Sequence, residues 1–474
     1  MVFSDPKFLF LLLPIALVAG LLTRRSALFS PVILALSLVF FYWTSGAYTL
    51  LLVASIVANW SFGLAIARWH RRAILVAAIV LNLGLLGFFK YLYFVLEPVG
   101  FLGSDDLFDF ASGIVLPIGI SFYTFQGLCY VIDVWRRDLP RAEPNLVLFA
   151  AYLAFFPHLV AGPIVRFGDV VADFHNPALS SEMFAAGAAR FLVGLAKKVM
   201  IADLIAPIAD AAFDGSGSDI SFATAWIGSL AFTAQIYFDF SGYSDMAIGM
   251  FMMFGIRVPE NFMHPYASRT ITEFWRRWHI SLSTWFRDYL YIPLGGNRLG
   301  TARTYLNLVV VFLATGIWHG AAWTFVLWGL YHGAFLVAER AILGHRAREV
   351  ASLGLRLFYF LPVTVVGWVL FRATDVAGFV RHVGAMASPG ADNAWALTPG
   401  VAAACTPLAI AALAAGLAAI LLQGQYRPLG IFVSERPATA TAAFGRLAFV
   451  IGAAFVASSF ALTQGYSPFL YFRF

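Results

Sequence analysis

Few residues in this chain have both the type and the setting to do chemistry, and they are histidines. His319 and His332 lie within Val309 to Gly333, a stretch apolar enough to sit in lipid and punctuated by Gly316, Gly320, Gly329 and Gly333. A titratable ring in such a segment is costly unless it is used or well paired. Imidazole is the side chain best poised to accept a proton near neutral pH. That chemistry suits acyl transfer to a hydroxyl, which must lose its proton as it attacks the carbonyl. Trp318 and Trp323 are expected to wall His319 off from bulk water. The bland alternative for a histidine in an apolar run is a hydrogen-bonded packing element, and it weighs more heavily on His279 and His332 than on His319. His158 and His264, beside prolines, read as loop residues.

Other chemistries find no support. The chain shows no P-loop, dinucleotide fingerprint, HExxH or GxSxG arrangement. Cys129 and Cys405 lie far apart in apolar runs and carry no disulfide or metal signal.

The elements that must hold these histidines are membrane helices. Of 474 residues, 61% are hydrophobic and 12% charged, with mean hydropathy +0.81. Soluble domains carry about 25% charged residues. Apolar runs recur at a length that crosses a roughly 30 Å hydrocarbon layer, which predicts an all-α, polytopic transmembrane helix bundle of about 11–12 membrane segments, with re-entrant and interfacial helices in addition. The runs fall near 8–22, 31–45, 48–66, 74–97, 113–131, 183–208, 222–255, 304–318, 320–339, 354–371, 401–422 and 443–463. The first follows a weakly charged start and precedes Arg24-Arg25, so it reads as a retained helix with Pro14 as a kink, not a cleaved signal. Arg24-Arg25, Arg68, Arg71-Arg72, Arg136-Arg137 and Arg141 alternate with loops carrying Asp105, Asp106 and Asp109, and later Asp210, Asp214 and Asp219. The positive-inside rule puts the basic loops in the cytoplasm and both termini outside. The net charge of +6 is dispersed through short loops, which points to topology and lipid contact and away from nucleic acid. No linker or repeat divides the chain, so 1–474 is read as a single membrane domain.

Several stretches are irregular. Val147 to Arg166 is broken by Pro157, Gly162 and Pro163 and reads equally as a re-entrant hairpin or a kinked span. Ala223 to Phe254 is too long for one upright crossing and carries Asp239 and Asp245, most simply as ion-pair partners. Lys197-Lys198 and Asp203 read as an intra-bundle pair or as snorkelling, and Lys90 as snorkelling. In the polar block Arg257 to Arg303, Thr270 and Glu273 match a capping box. From there Trp275, Trp278, Leu282 and Trp285 recur at helical steps, with His279 beside them and Arg276, Arg277 and Arg287 opposite. This predicts one amphipathic helix lying in the cytoplasmic interface, with arginines facing phosphates of lipid or of a nucleotide-bearing donor.

Long motifs then carry a resemblance over nearly the whole chain. They are LPIGISFYTFQGLCYVIDVWR at 116–136, FFPHLVAGPIVRF at 155–167, YFDFSGYSDMAIG at 237–249, FWRRWHISLSTWFRDYLYIPLGGNR at 274–298, GIWHGAAWTFVLWGLYHG at 316–333 and SPFLYFRF at 467–474. In this order the chain resembles the membrane-bound O-acyltransferase family, in particular its bacterial branch serving alginate O-acetylation. The resemblance implies helices around a central tunnel, with the family's invariant histidine on His319 and its second polar position on His279. It implies acetyl-CoA as donor, met by Trp275, Arg276, Arg277 and Trp278, and no metal. It implies a bacterial inner-membrane protein, an exported polysaccharide as acceptor and a separate periplasmic acetyl-carrying partner. His158 and Cys129 depart from the usual glutamine and serine without touching either histidine. Alternatives are D-alanyl transfer to cell-wall polymers from a carrier protein, and a non-enzymatic transporter or scaffold.

Overall fold

A computed structural model describes residues 2–97, 110–214, 220–344, 353–423, 440–463 and 469–470. Among the described residues every regular element is helical. Five stretches are long and apolar enough to cross a membrane: Phe29–Trp69, Arg72–Leu96, Thr301–His319, Trp323–Leu343 and Leu353–Arg372. Shorter apolar helices cover Phe8–Thr23, Pro407–Leu421 and Val450–Phe460. The chain is thus a multi-pass membrane protein. Asp105, Asp106, Asp109, Asp219 and most of the 467–474 motif lie outside the described residues.

The helices gather into two compact units. The first comprises Met1–Val193, Tyr243–Pro259 and Leu429–Pro468. Within it, Thr49–Trp69 packs closely on Ile120–Arg136 because Gly63 faces the Tyr130 ring and Gly127 faces the Asn59 amide. Asn59 and Asn82 exchange amide hydrogen bonds of 2.9 and 3.2 Å between neighbouring apolar helices. Such a pair satisfies two polar groups that lipid cannot. The stretch 147–166 breaks into Leu146–Leu153, Phe156–Leu159 and a coil, so it is not a kinked single helix. Nearly all of it is buried, the setting in which irregular backbone is tolerated at membrane depth. Pro14 lies inside the continuous helix Phe8–Thr23, directly after a π turn at Phe8–Leu12. Asp245 pairs with Arg190 at 3.0 Å.

The second unit comprises Gly194–Gly242, Glu260–Pro428 and Phe469–Phe474. Its central hairpin is Thr301–His319 against Trp323–Leu343. Gly316 meets the Phe325 carbonyl and Gly329 the Phe312 carbonyl, so a Cβ at either would collide with backbone. Lys198, on a π turn at Lys197–Ala202, pairs with Asp203 at 2.8 Å and Asp239 at 2.7 Å. Asp210 and Asp214 pair with Arg372 at 3.1 and 2.7 Å, and Asp210 stands inside the helix Asp203–Phe213 where a loop was expected.

The helix Phe222–Met253 runs 32 residues without a break and contributes to both units. At 1.5 Å per residue it spans about 48 Å, well beyond the hydrocarbon thickness.

The predicted interfacial helix is the main local correction. The Thr270 hydroxyl does cap Glu273 N–H at 3.1 Å, but the returning Glu273 carboxylate takes the Arg269 N–H at 3.0 Å. The helix then stops after Ile271–Phe274, and a second begins only at Ile280–Phe286. Between them His279 adopts a left-handed backbone, φ 45°. Trp275, Trp278, Leu282 and Trp285 are buried in protein, at most 8% exposed, and do not face lipid. A single left-handed residue reorients the chain without disturbing the spacing of its apolar side chains, which is why periodicity alone reads one helix.

Candidate active site

His319 is the last residue of Thr301–His319 and is 5% exposed. Its ring sits among Trp318, Trp328 and Phe371, with centroids 5.0, 5.1 and 5.1 Å away and rings edge-on. Trp323, expected to share this wall, is 58% exposed. The loop after Gly320 turns it outward, and Trp328, more than a turn further on, takes the place. Beside His319 is a cavity of about 20 Å³, also lined by Asp239, Phe240, Trp278, Trp368, Phe469 and Leu470. That is room for about one water. Trp368 is fixed by its Nε1–H donating to the Tyr266 hydroxyl at 2.9 Å, and that hydroxyl donates to the Thr233 carbonyl at 3.1 Å.

His279 lies outside this cavity. Its Nδ1 is 3.2 Å from Asn261 Oδ1, which also accepts from Ser281 N–H at 3.1 Å and Ser281 Oγ–H at 2.9 Å. Its ring packs edge-on against Phe240 at 4.7 Å and Trp318 at 6.1 Å. His279 therefore shares Trp318 with His319 and backs a cavity wall through Phe240. Its Nε2 has no hydrogen bond among the described residues. Burial pushes its pKa down, to about 3. His332 is packed among Trp275, Trp328 and Tyr331, at 5.1, 4.9 and 5.3 Å. His264 caps a turn with φ 49°, and His158 contacts the Tyr152 carbonyl at 2.8 Å in the first unit.

A second, larger cavity of about 1480 Å³ opens in the same unit. Trp275, Arg276 and Arg277 line it, joined by Arg269, Arg287, Arg298 and Arg340, with Glu273 as an acidic member. Trp278, grouped with the first three by sequence, faces the small cavity instead. A pair of touching indoles links the linings of the two spaces. Trp275, on the wall of the large one, packs against Trp328 of the small one at 5.4 Å. The volume exceeds that of an ordinary small-molecule pocket, about 300–1,000 Å³, and the guanidinium fork suits phosphate. The wall is braced by Glu339. Its carboxylate accepts from the N–H groups of Ile271 and Thr272 at 2.5 and 2.8 Å and from the Tyr359 hydroxyl at 2.8 Å. Sequence reasoning missed Arg269, Arg298 and Arg340, which are scattered along the chain, and Glu339, whose partners are mostly backbone. The Tyr359 hydroxyl and the first-turn N–H groups left by the Thr270 cap were the available signals. Among the described residues no group of histidine, cysteine, aspartate and glutamate could hold a metal ion.

An aromatic-walled histidine at a helix end and an arginine-lined cavity thus lie in the same unit of a multi-pass membrane protein. The profile of the membrane-bound O-acyltransferase family matches residues 136–352, which include both histidines and the Trp275–Trp278 block. The chain is 46% identical over 437 residues to the probable alginate O-acetylase of Azotobacter vinelandii, covering 90% of this chain and 85% of that protein. It is 42% identical over 500 residues to the probable alginate O-acetylase of Pseudomonas putida, covering all of both. It is 37% identical over 419 residues to the peptidoglycan O-acetyltransferase of Helicobacter pylori, covering 80% of this chain and 79% of that protein. The chain belongs to the membrane-bound O-acyltransferase family. It is an O-acyltransferase.

Proposed function

We propose that the protein moves acetyl groups from acetyl-CoA to an exported polysaccharide of the alginate kind, in a bacterial inner membrane, with His319 as general base. The observation that carries this reading is the placement of His319 in a tight aromatic cavity whose Trp328 touches Trp275 of a large arginine-lined one. The names of the relatives support the acetyl group and the polymer acceptor.

In this reading the arginine cavity takes the phosphates of the donor, and the acetyl thioester reaches inward past Trp275. An acceptor hydroxyl attacks the carbonyl carbon, and His319 takes its proton. The C–O bond forms and the C–S bond breaks. The thiolate leaves as CoA after recovering a proton from the imidazolium. The aromatic walls exclude water that would compete as nucleophile. A periplasmic partner carries the acetyl group onward to the polymer.

Replacing His319 with alanine tests this. A general base contributes roughly 10²–10⁴ in rate, so ester content of the host polysaccharide should fall to background while protein level in the membrane is kept. Full acetylation by the variant would remove His319 from the chemistry. Labelled acetyl-CoA offered beside a D-alanyl carrier protein decides the donor: transfer from the carrier alone would overturn the acetyl assignment.

A further inference from the structure

Part of the His319 cavity is built by residues far away in sequence. Phe469 and Leu470, 2% and 4% exposed, line it. Leu470 N–H donates to Asp239 Oδ2 at 2.7 Å. Asp239, 1% exposed, is another lining residue, and its Oδ1 pairs with Lys198 Nζ at 2.7 Å. Lys198, 4% exposed, also holds Asp203 at 2.8 Å. A carboxylate buried this deeply is tolerated only with partners on both oxygens. The lysine fixes one oxygen, and the other is thereby aimed at the Leu470 backbone. Ion pairing alone accounts for Asp239 beside Lys198. It does not account for a backbone amide from the cavity wall as the second partner.

We propose that Asp239 is a positioning residue for acyl transfer: clamped by Lys198, it holds the Phe469–Leu470 backbone as a wall of the His319 cavity and keeps that cavity from widening to admit stray water beyond the single molecule it has room for. The proposal rests on the reading of His319 as the acyl-transfer base. With the wall released, water enters beside the thioester carbonyl. It adds to that carbon, the C–S bond breaks, and acetate and CoA are formed without an acceptor.

The test uses the full chain with Leu470→Pro, which removes the N–H, Leu470→Ala, which keeps it, Asp239→Ala, and the Asp239→Ala/Leu470→Pro double variant. Two quantities are read at matched protein level: ester on the host polysaccharide, and CoA released from acetyl-CoA by purified protein without acceptor. Leu470→Ala, which keeps the N–H while trimming a lining side chain, is the reference against which Leu470→Pro is read. Leu470→Pro and Asp239→Ala should each lose about tenfold in ester while releasing CoA several-fold faster, and the double variant should be no worse than the poorer single, since both act through one contact. A change confined to structure lowers both readouts together. Leu470→Pro behaving like Leu470→Ala, or losses that multiply in the double variant, would overturn the proposal. Leu470→Pro leaves the Lys198 pairs untouched, so the result stands even if Asp239→Ala fails to accumulate. If His319→Ala keeps acetylation, the base assignment fails and the wall proposal with it. If His319→Ala is inactive while Leu470→Pro is fully active, the wall proposal alone fails.

Discussion

At the scale of single residues, the two histidines face different constraints. His279 lies outside the five candidate spans, and burial holds its ring neutral with a pKa near 3. An unfolded chain takes up that proton near 6.5. Between these values the unfolded state binds more protons, so this contribution to stability is complete above about pH 6.5 and is lost as pH falls, by at most about 1.4 kcal/mol per pH unit for one proton. The melting temperature of detergent-solubilised protein should therefore fall on acidification, and less steeply for His279→Gln. Equal slopes would mean that the ring is not held neutral. Arg276 tests the large cavity: Arg276→Ala should raise the KM for acetyl-CoA about tenfold per lost phosphate contact with kcat nearly kept, and added salt should shrink the difference. An unchanged KM would place the donor elsewhere.

At the scale of elements, the Thr301–His319/Trp323–Leu343 hairpin sets the position of His319. Its close crossing rests on Gly316 and Gly329, each opposite a backbone carbonyl that cannot move aside as a side chain would. Gly316→Ala should cost about 1–3 kcal/mol and displace His319, seen as a lower melting temperature together with lost activity. Glu339→Ala, which uncovers two first-turn amides, should cost about 2 kcal/mol and loosen the Trp275 wall. Sequence reading was strong here where a signal is local. The glycines, the Thr270 cap and the apolar runs are all legible because their causes lie within a turn or two. The break at His279 is not, since a one-residue left-handed kink leaves apolar spacing intact. Nor is the choice of Trp328 over Trp323, which depends on how Gly320 to Ala322 turn the chain.

At the scale of the whole molecule, composition makes the membrane class plain, because 61% hydrophobic content leaves too little polar surface to cover in water. The constellation around His319 is much less legible. It draws on Asp239, Trp278, Trp328, Trp368, Phe371 and Phe469, and only tertiary folding says which of the chain's many aromatics converge. The order in which the two units use the chain has a consequence for biogenesis. Neither is contiguous: Phe222–Met253 passes from one to the other inside an unbroken helix, and the first recruits Ala440–Thr463 from near the end. A ribosome feeding the translocon from the N-terminus has thus inserted most of the second unit before the first has its last helix. The early segments of the first unit thus enter the membrane well before Ala440–Thr463 is made, and a cut between Gly242 and Tyr243, where the chain passes from one unit to the other, would sever the unbroken helix Phe222–Met253.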